Sequence, residues 1–271
     1  MSSPIQLPLR VLVKGASNVL WTSMMSGPRS DLVFARVMEQ ELLAGGRATE
    51  VRNAGVLGME IHEMFDTWED DIARWSPDIV VMAVGQYDIL HTLLPHWLER
   101  GANRVNRRPS LFQRLFYRRF LRLVARGVLL VQRRIDRPGL RLDRRSRRAI
   151  RDLTEYIKIT QQVAHPLIIL LEVHPPTAAK IAWFGGWDER IAVFNDRMRA
   201  IADADESGTV RFVEMMDLAA QFDPGTPEQL WADGIHFNPD MHRLVGQRLA
   251  GVAEEWARTQ PHLAPPHSAQ P

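Results

Sequence analysis

Asp78-Ile79-Val80-Val81-Met82-Ala83-Val84 is apolar from its second residue onward, rich in β-branched side chains, and without polar alternation. A strand with one wet face alternates, whereas one lacking alternation is covered on both faces, as in parallel sheets packed between helices. Pro166-Leu-Ile-Ile-Leu-Leu-Glu-Val173 repeats the signature. Leu9-Arg-Val-Leu-Val13, Thr49-Glu-Val-Arg52 and Val210-Arg-Phe-Val213 are read as shorter strands. Helical spacing fills the intervals, over about 30–44, 59–75, 147–163, 187–205 and 239–256. In the second of these, Ile61, Met64, Phe65, Trp68, Ile72 and Trp75 share one face.

Strands alternating with helices need crossover connections, which make neighbouring strands parallel. The expected fold is α/β: a three-layer α/β/α sandwich around a parallel, flavodoxin-like five-stranded sheet, with an Arg-rich helical insertion. One domain over residues 1–259 would hold it, with 100–150 as the insertion. Residues 260–271, rich in proline and small polar residues, read as a disordered tail.

The 271 residues are 45% hydrophobic and 24% charged, enough to bury an ordinary core. There is no cysteine, which excludes disulfides, thiolate metal sites and cysteine nucleophiles. The first strand begins by about Leu9, and no stretch could span a bilayer. A cytoplasmic location is therefore expected, with contact to the inner face of the membrane as a peripheral extension.

In an open parallel sheet, ligands bind at the carboxyl ends of the strands. The residues there are Lys14-Gly15-Ala16-Ser17-Asn18, then Asn53-Ala54-Gly55-Val56-Leu57-Gly58, then Gly85-Gln86-Tyr87-Asp88. Trp231-Ala-Asp233-Gly-Ile-His236-Phe-Asn238 precedes the last helix. Alone, a Gly-x-Ser turn is an ordinary helix entry with serine as N-cap, and Asp-x-x-His is an ordinary turn. Together on one rim they offer a hydroxyl, an imidazole and a carboxylate. A serine hydroxyl needs a base within reach, which His236 can be. Asp233 can fix the imidazole tautomer and stabilise the imidazolium.

This order of blocks resembles the SGNH/GDSL hydrolase family: Gly-Asp-Ser, a glycine after the second strand, Gly-x-Asn-Asp after the third, and Asp-x-x-His near the end. The resemblance covers nearly the whole chain except the basic segment and the tail. It implies Ser17 as nucleophile, Asp233 and His236 as the rest of a triad, and Gly58 with Ser17 as oxyanion-hole donors. Two positions depart from the pattern. Ala16 replaces the family's aspartate, and Tyr87 stands where the family has its oxyanion-hole asparagine. Loss of one such donor costs ~10²–10³ in rate; Tyr87 and Gln86 are the candidates to replace it. Asn18 and Asn53 are near enough in sequence to line the hole. Asn18, His174 of His174-Pro-Pro-Thr177, and Trp183 of Trp183-Phe-Gly-Gly-Trp187 are read as substrate-pocket residues. The α/β-hydrolase fold shares the Ser…Asp…His order, but its Gly-x-Ser-x-Gly elbow is missing, because Asn18-Val19 follow Ser17.

The expected activity is cleavage of a carboxylic ester or thioester through an acyl-Ser17 intermediate, on a lipid-like or membrane-associated small molecule. An acyltransferase using the same triad, and a weakly active or non-catalytic module binding through its basic helix, are the alternatives. No cofactor is expected. His62-Glu63 lacks a second histidine at zincin spacing, and His91 and His96 are five apart, so no metal site is read. No glycine-rich phosphate loop follows a strand.

The net charge of +2 conceals an asymmetry. Residues 100–151 hold 18 Arg, no Lys and two acids (Asp136 and Asp143), a net +16, while the remainder carries 16 basic and 30 acidic residues, a net −14. Phe112, Phe116, Phe120, Val124, Val128, Val131 and Ile135 recur every three or four residues, and Arg114, Arg118, Arg122 and Arg126 run down another face. Such a helix suits an anionic membrane surface or an acidic partner, a lid over an acyl chain, or a cap pairing its arginines with the acidic body. Nucleic acid is disfavoured, because the aromatics lie on the apolar stripe and not among the arginines.

Overall fold

Five strands run parallel through the middle of the molecule: β1 (Leu9–Gly15), β2 (Thr49–Asn53), β3 (Ile79–Ala83), β4 (Leu167–Leu171) and β5 (Val210–Val213). Their spatial order is β2-β1-β3-β4-β5, the flavodoxin-like order expected. The computed structural model describes residues 7–20, 32–90, 118–135, 144–178, 186–222, 227–231 and 233–263. The chain leaves β1 in one direction for β2 and returns on its other side to β3. This places the switch point, and the crevice that accompanies it, beyond the carboxyl ends of β1 and β3.

Strand side chains alternate between faces, and both faces are covered. Leu9, Val11 and Val13 of β1 join Val81 and Ile169 in one buried cluster, sealed by α2 (Phe34–Ala44) and α8 (Pro239–Ala257). Leu12, Val80, Met82 and Ile168 point the other way, against α5 (Arg144–Val163) and α6 (Trp187–Asp203). Each fully buried aliphatic side chain contributes roughly 1.5–3 kcal/mol, and this double-sided burial is why β3 and β4 lack polar alternation. The last helix starts where its sequence demands. Asn238 accepts from the Met241 N–H at 2.9 Å as N-cap, and Pro239 sits where no donor is needed.

The 59–75 segment is wound differently from the expected α-helix: a 3₁₀ helix over Ile61–Thr67 leads into a π-helical stretch over Glu69–Arg74. In a 3₁₀ helix residues three apart eclipse, which puts Ile61 and Met64 together in the core. The π stretch brings Asp71 inward to the buried Lys14 ammonium at 2.5 Å, and Lys14 also donates to Thr67 at 2.7 Å. Arg52 reaches the other Asp71 oxygen at 3.0 Å. A tertiary ion pair overrides the local helical pattern here.

Short helices not read from sequence complete the fold: α1 (Ser17–Leu20), α3 (Gln86–Leu90), α7 (Met216–Phe222) and a 3₁₀ turn over Pro227–Trp231. The disordered tail expected from residue 260 is corrected in its first part. Leu263 is buried, and its carbonyl accepts from Arg47 at 2.9 Å; residues 264–271 lie outside the described residues.

The basic segment divides in two. α4 (Arg118–Ile135) is the expected helix, while Phe112, Arg114 and Phe116 lie outside the described residues. α5 begins at Arg144, so 144–150 belong to the sandwich and not to an insertion. Its Ala149 and Leu153 are buried, and Arg145 pairs with Glu60 at 2.7 Å.

Candidate active site

Ser17 opens α1 immediately after β1 ends. Gly15 at that junction leaves room for nothing larger, since a Cβ there would lie 2.5 Å from both the Ala83 carbonyl and Val19 Cγ2. The glycine lets β1 and the α1 turn close on β3, which aims Ser17 over the switch point. Its Oγ lies 2.9 Å from His236 Nε2, and His236 Nδ1 lies 2.8 Å from Asp233 Oδ2. The other Asp233 oxygen accepts from the backbone N–H groups of Ile235 at 2.9 Å and His236 at 2.7 Å. Burial pushes the Asp233 carboxyl upward, but donation from His236 and Ile235 outweighs it and holds the group below its ordinary value. An ionised carboxylate on Nδ1 requires the proton there. That leaves Nε2 as the acceptor facing the Ser17 hydroxyl.

A second tier of side chains holds the loop that carries His236. Asn18 donates from Nδ2 to the Ile235 carbonyl at 3.3 Å and accepts on Oδ1 from the Phe237 N–H at 3.3 Å. His174 donates from Nε2 to the same Ile235 carbonyl at 2.7 Å. Its ring lies between Trp231 and Phe237, with centroids 5.3 and 4.7 Å away. Burial depresses the His174 pKa to about 4. Asn18 and His174, expected as substrate-pocket residues, are thus buried supports beneath the His236 loop. Both border a small cavity bounded by Leu171, Met215 and Phe237. No side-chain pattern could have shown this, because the group they grip is a backbone carbonyl.

Gly58 adopts a left-handed φ of 70°, and the Tyr87 ring lies against it, 3.6 Å from where a Cβ would be. The structure therefore brings these two oxyanion-hole candidates together. Gln86 is turned inward: its Oε1 is 3.5 Å from Asn18 Nδ2, and its amide nitrogen is buried with no hydrogen-bond partner among the described residues. Asn53 does not line the hole either, since its amide donates to the Val19 carbonyl at 2.8 Å and accepts from the Gly55 N–H at 3.1 Å. Trp183 lies outside the described residues. Asp88 accepts from the Ile61 N–H at 3.3 Å on each oxygen, fastening the Gly58 loop to α3. Burial, reinforced by the nearby Glu60 carboxylate, raises the Asp88 pKa to about 8.

A serine, an imidazole and an ionised carboxylate thus stand in line at the carboxyl edge of a doubly wound parallel sheet. The chain belongs to the GDSL-like lipase/acylhydrolase family, whose model matches residues 19–244. That match takes in Asp233 and His236 and begins two residues after Ser17. The fold is shared with a protein described as a GDSL-like lipase from Parabacteroides merdae, at 15% identity and a TM-score of 0.58, covering 93% of this chain and 98% of that one. The lipase/acylhydrolase of Enterococcus faecalis gives 14% identity, a TM-score of 0.57 and coverage of 91% and 96%. The acetylxylan esterase Axe2 of Geobacillus stearothermophilus gives 15%, 0.55, and 93% and 97%. No curated protein matches the chain. The protein is accordingly an ester hydrolase of the GDSL type.

Proposed function

We propose that the chain cleaves carboxylic esters or thioesters through an acyl-Ser17 intermediate, with His236 as base and Asp233 as its anchor. The observation that carries this reading is the continuous Ser17–His236–Asp233 hydrogen-bond chain, at 2.9 and 2.8 Å. Ser17 Oγ attacks the acyl carbon while its proton passes to His236 Nε2. The carbonyl electron pair moves onto oxygen, for which the proposed donors are the N–H groups of Ser17 and Gly58 and the Tyr87 hydroxyl. Collapse of the adduct expels the alcohol or thiol, which takes the proton from Nε2. Water, deprotonated by the same nitrogen, then releases the acid and regenerates Ser17.

Apolar acyl groups are the favoured substrates. Val56 and Leu57, both exposed, stand next to Gly58 on the rim of the site and offer a greasy edge to a chain entering there. The test is labelling with a fluorophosphonate probe, together with turnover of aryl esters of graded acyl length. Labelling of the wild type and none of Ser17→Ala supports the mechanism. Equal labelling of both would remove Ser17 from it.

A further inference from the structure

The two halves of the basic segment treat their charges in opposite ways. α5 spends its arginines on the protein: Arg145 is mostly buried against Glu60, and Arg148 lies 3.4 Å from Asp152. α4 does not. Phe120, Leu123, Leu130 and Val131 are 53, 64, 64 and 50% exposed, and Val124 is exposed beside them. Arg126 and Arg134 are also exposed, and neither forms an ion pair with the described residues. At about 100° per residue, the five apolar residues fall within an arc of roughly 120°, with Arg126 at its edge and Arg134 inside it near the last turn. The helix holds six arginines and no acid. A cap that satisfied itself on the acidic body would bury this stripe and pair these charges, as α5 does.

We infer that α4 is a peripheral membrane anchor that lays its Phe120–Val131 stripe into the interface of an anionic lipid surface. Large apolar side chains sink to the headgroup boundary while arginines meet lipid phosphates, their alkyl stems lying along the apolar face. Charge selects the occupant. With α5 counted in the sandwich, residues 100–143 hold 13 Arg and two acids, and this segment at +11 on a body at −9 is drawn to a negative surface and keeps the acidic remainder facing away from it. Among the described residues no helix is long and apolar enough to cross a membrane, so attachment by α4 is superficial. Lipid binding is independent of the Ser17 mechanism and is read without any turnover.

The test uses the full chain in flotation with vesicles of phosphatidylcholine alone and of phosphatidylcholine with phosphatidylglycerol, at low and high salt. The wild type is expected to float only with the anionic vesicles and to be released as salt rises. Arg126→Gln/Arg134→Gln should weaken binding roughly 30-fold, and Leu123→Ser/Leu130→Ser should abolish it. Because all four side chains are exposed, thermal unfolding should be unchanged in both variants. Absence of binding to anionic vesicles, equal binding to both lipids, or binding untouched by either pair overturns the inference. So does a chain that self-associates through this face, shown by the serine pair converting a dimer to a monomer without altering flotation.

Discussion

His174 donates from Nε2 to the Ile235 carbonyl at 2.7 Å, and that carbonyl belongs to the residue immediately before His236. A buried imidazole thereby fixes the peptide that orients the candidate base. Replacing His174 with alanine removes the donor and leaves a void between Trp231 and Phe237, which should cost about 2–4 kcal/mol of stability. His174→Gln keeps an N–H donor and should recover part of it. If the residue positions His236, kcat falls in the alanine variant while KM stays near wild type, and glutamine restores kcat in part. A loss of stability with kcat intact would leave His174 a packing residue.

The same histidine sets an acid limit. Its folded pKa is about 4 against an ordinary 6.5, so as pH falls the unfolded chain takes up the proton first. Stability is therefore complete above about pH 6.5 and is lost as pH falls toward 4, by about 3 kcal/mol in all. Denaturant midpoints from pH 7 to 4 should drop in the wild type, and should drop less in His174→Gln.

Asn18 grips the His236 loop from the turn that carries Ser17, touching the peptide units on both sides of the histidine. Asn18→Ala frees both and should lower kcat about 10-fold or more, on the scale of roughly 1 kcal/mol per neutral hydrogen bond. Asn18→Asp keeps the acceptor for Phe237 but sets a carboxylate against the Ile235 carbonyl, and should be as poor as alanine. An aspartate variant with wild-type kcat would show that only the Phe237 contact counts.

These contacts mark where sequence stops being informative. Asp233 and His236 are three residues apart, so their pairing is local and readable, and β3 and β4 announce themselves because both of their faces are buried. Asn18 and His174 act on Ile235 from 217 and 61 residues away, through a carbonyl every residue possesses. The winding of 61–74 was illegible for a related reason. Its apolar spacing fits an α-helix, and what rewinds it is Asp71 turning in to Lys14, 57 residues distant. α7 is likewise held from afar, by Glu172 accepting the N–H groups of Met215 and Met216 at 2.7 and 2.8 Å.

Tyr87 lies on Gly58 where an amide donor is usual, so its hydroxyl carries a specific expectation. Tyr87→Phe keeps the ring on Gly58 and removes only the O–H. It should lower kcat roughly 10- to 100-fold with little change in KM, somewhat less than the full effect of losing an oxyanion donor. Equal kcat in the two proteins would confine oxyanion binding to the backbone N–H groups.

Asp88 ties stability to pH from the alkaline side. Burial, then the Glu60 charge, raise its pKa from 3.8 to about 8, so the folded protein keeps a proton that the unfolded chain has already released. That contribution is complete below about pH 4, and is lost as pH rises through about 8. Asp88→Asn cannot ionise, and its side-chain carbonyl can still accept from Ile61. Melting curves from pH 4 to 9 should therefore coincide near pH 4, separate progressively up to about pH 8 and run parallel above it, with the asparagine variant melting higher at pH 9 by roughly 5 °C or more. Because Ile61 stands three residues beyond Gly58, the wild type should also lose kcat above pH 8 more steeply than the variant. Melting curves that run parallel across the whole range would mean that Asp88 does not hold its proton in the folded chain.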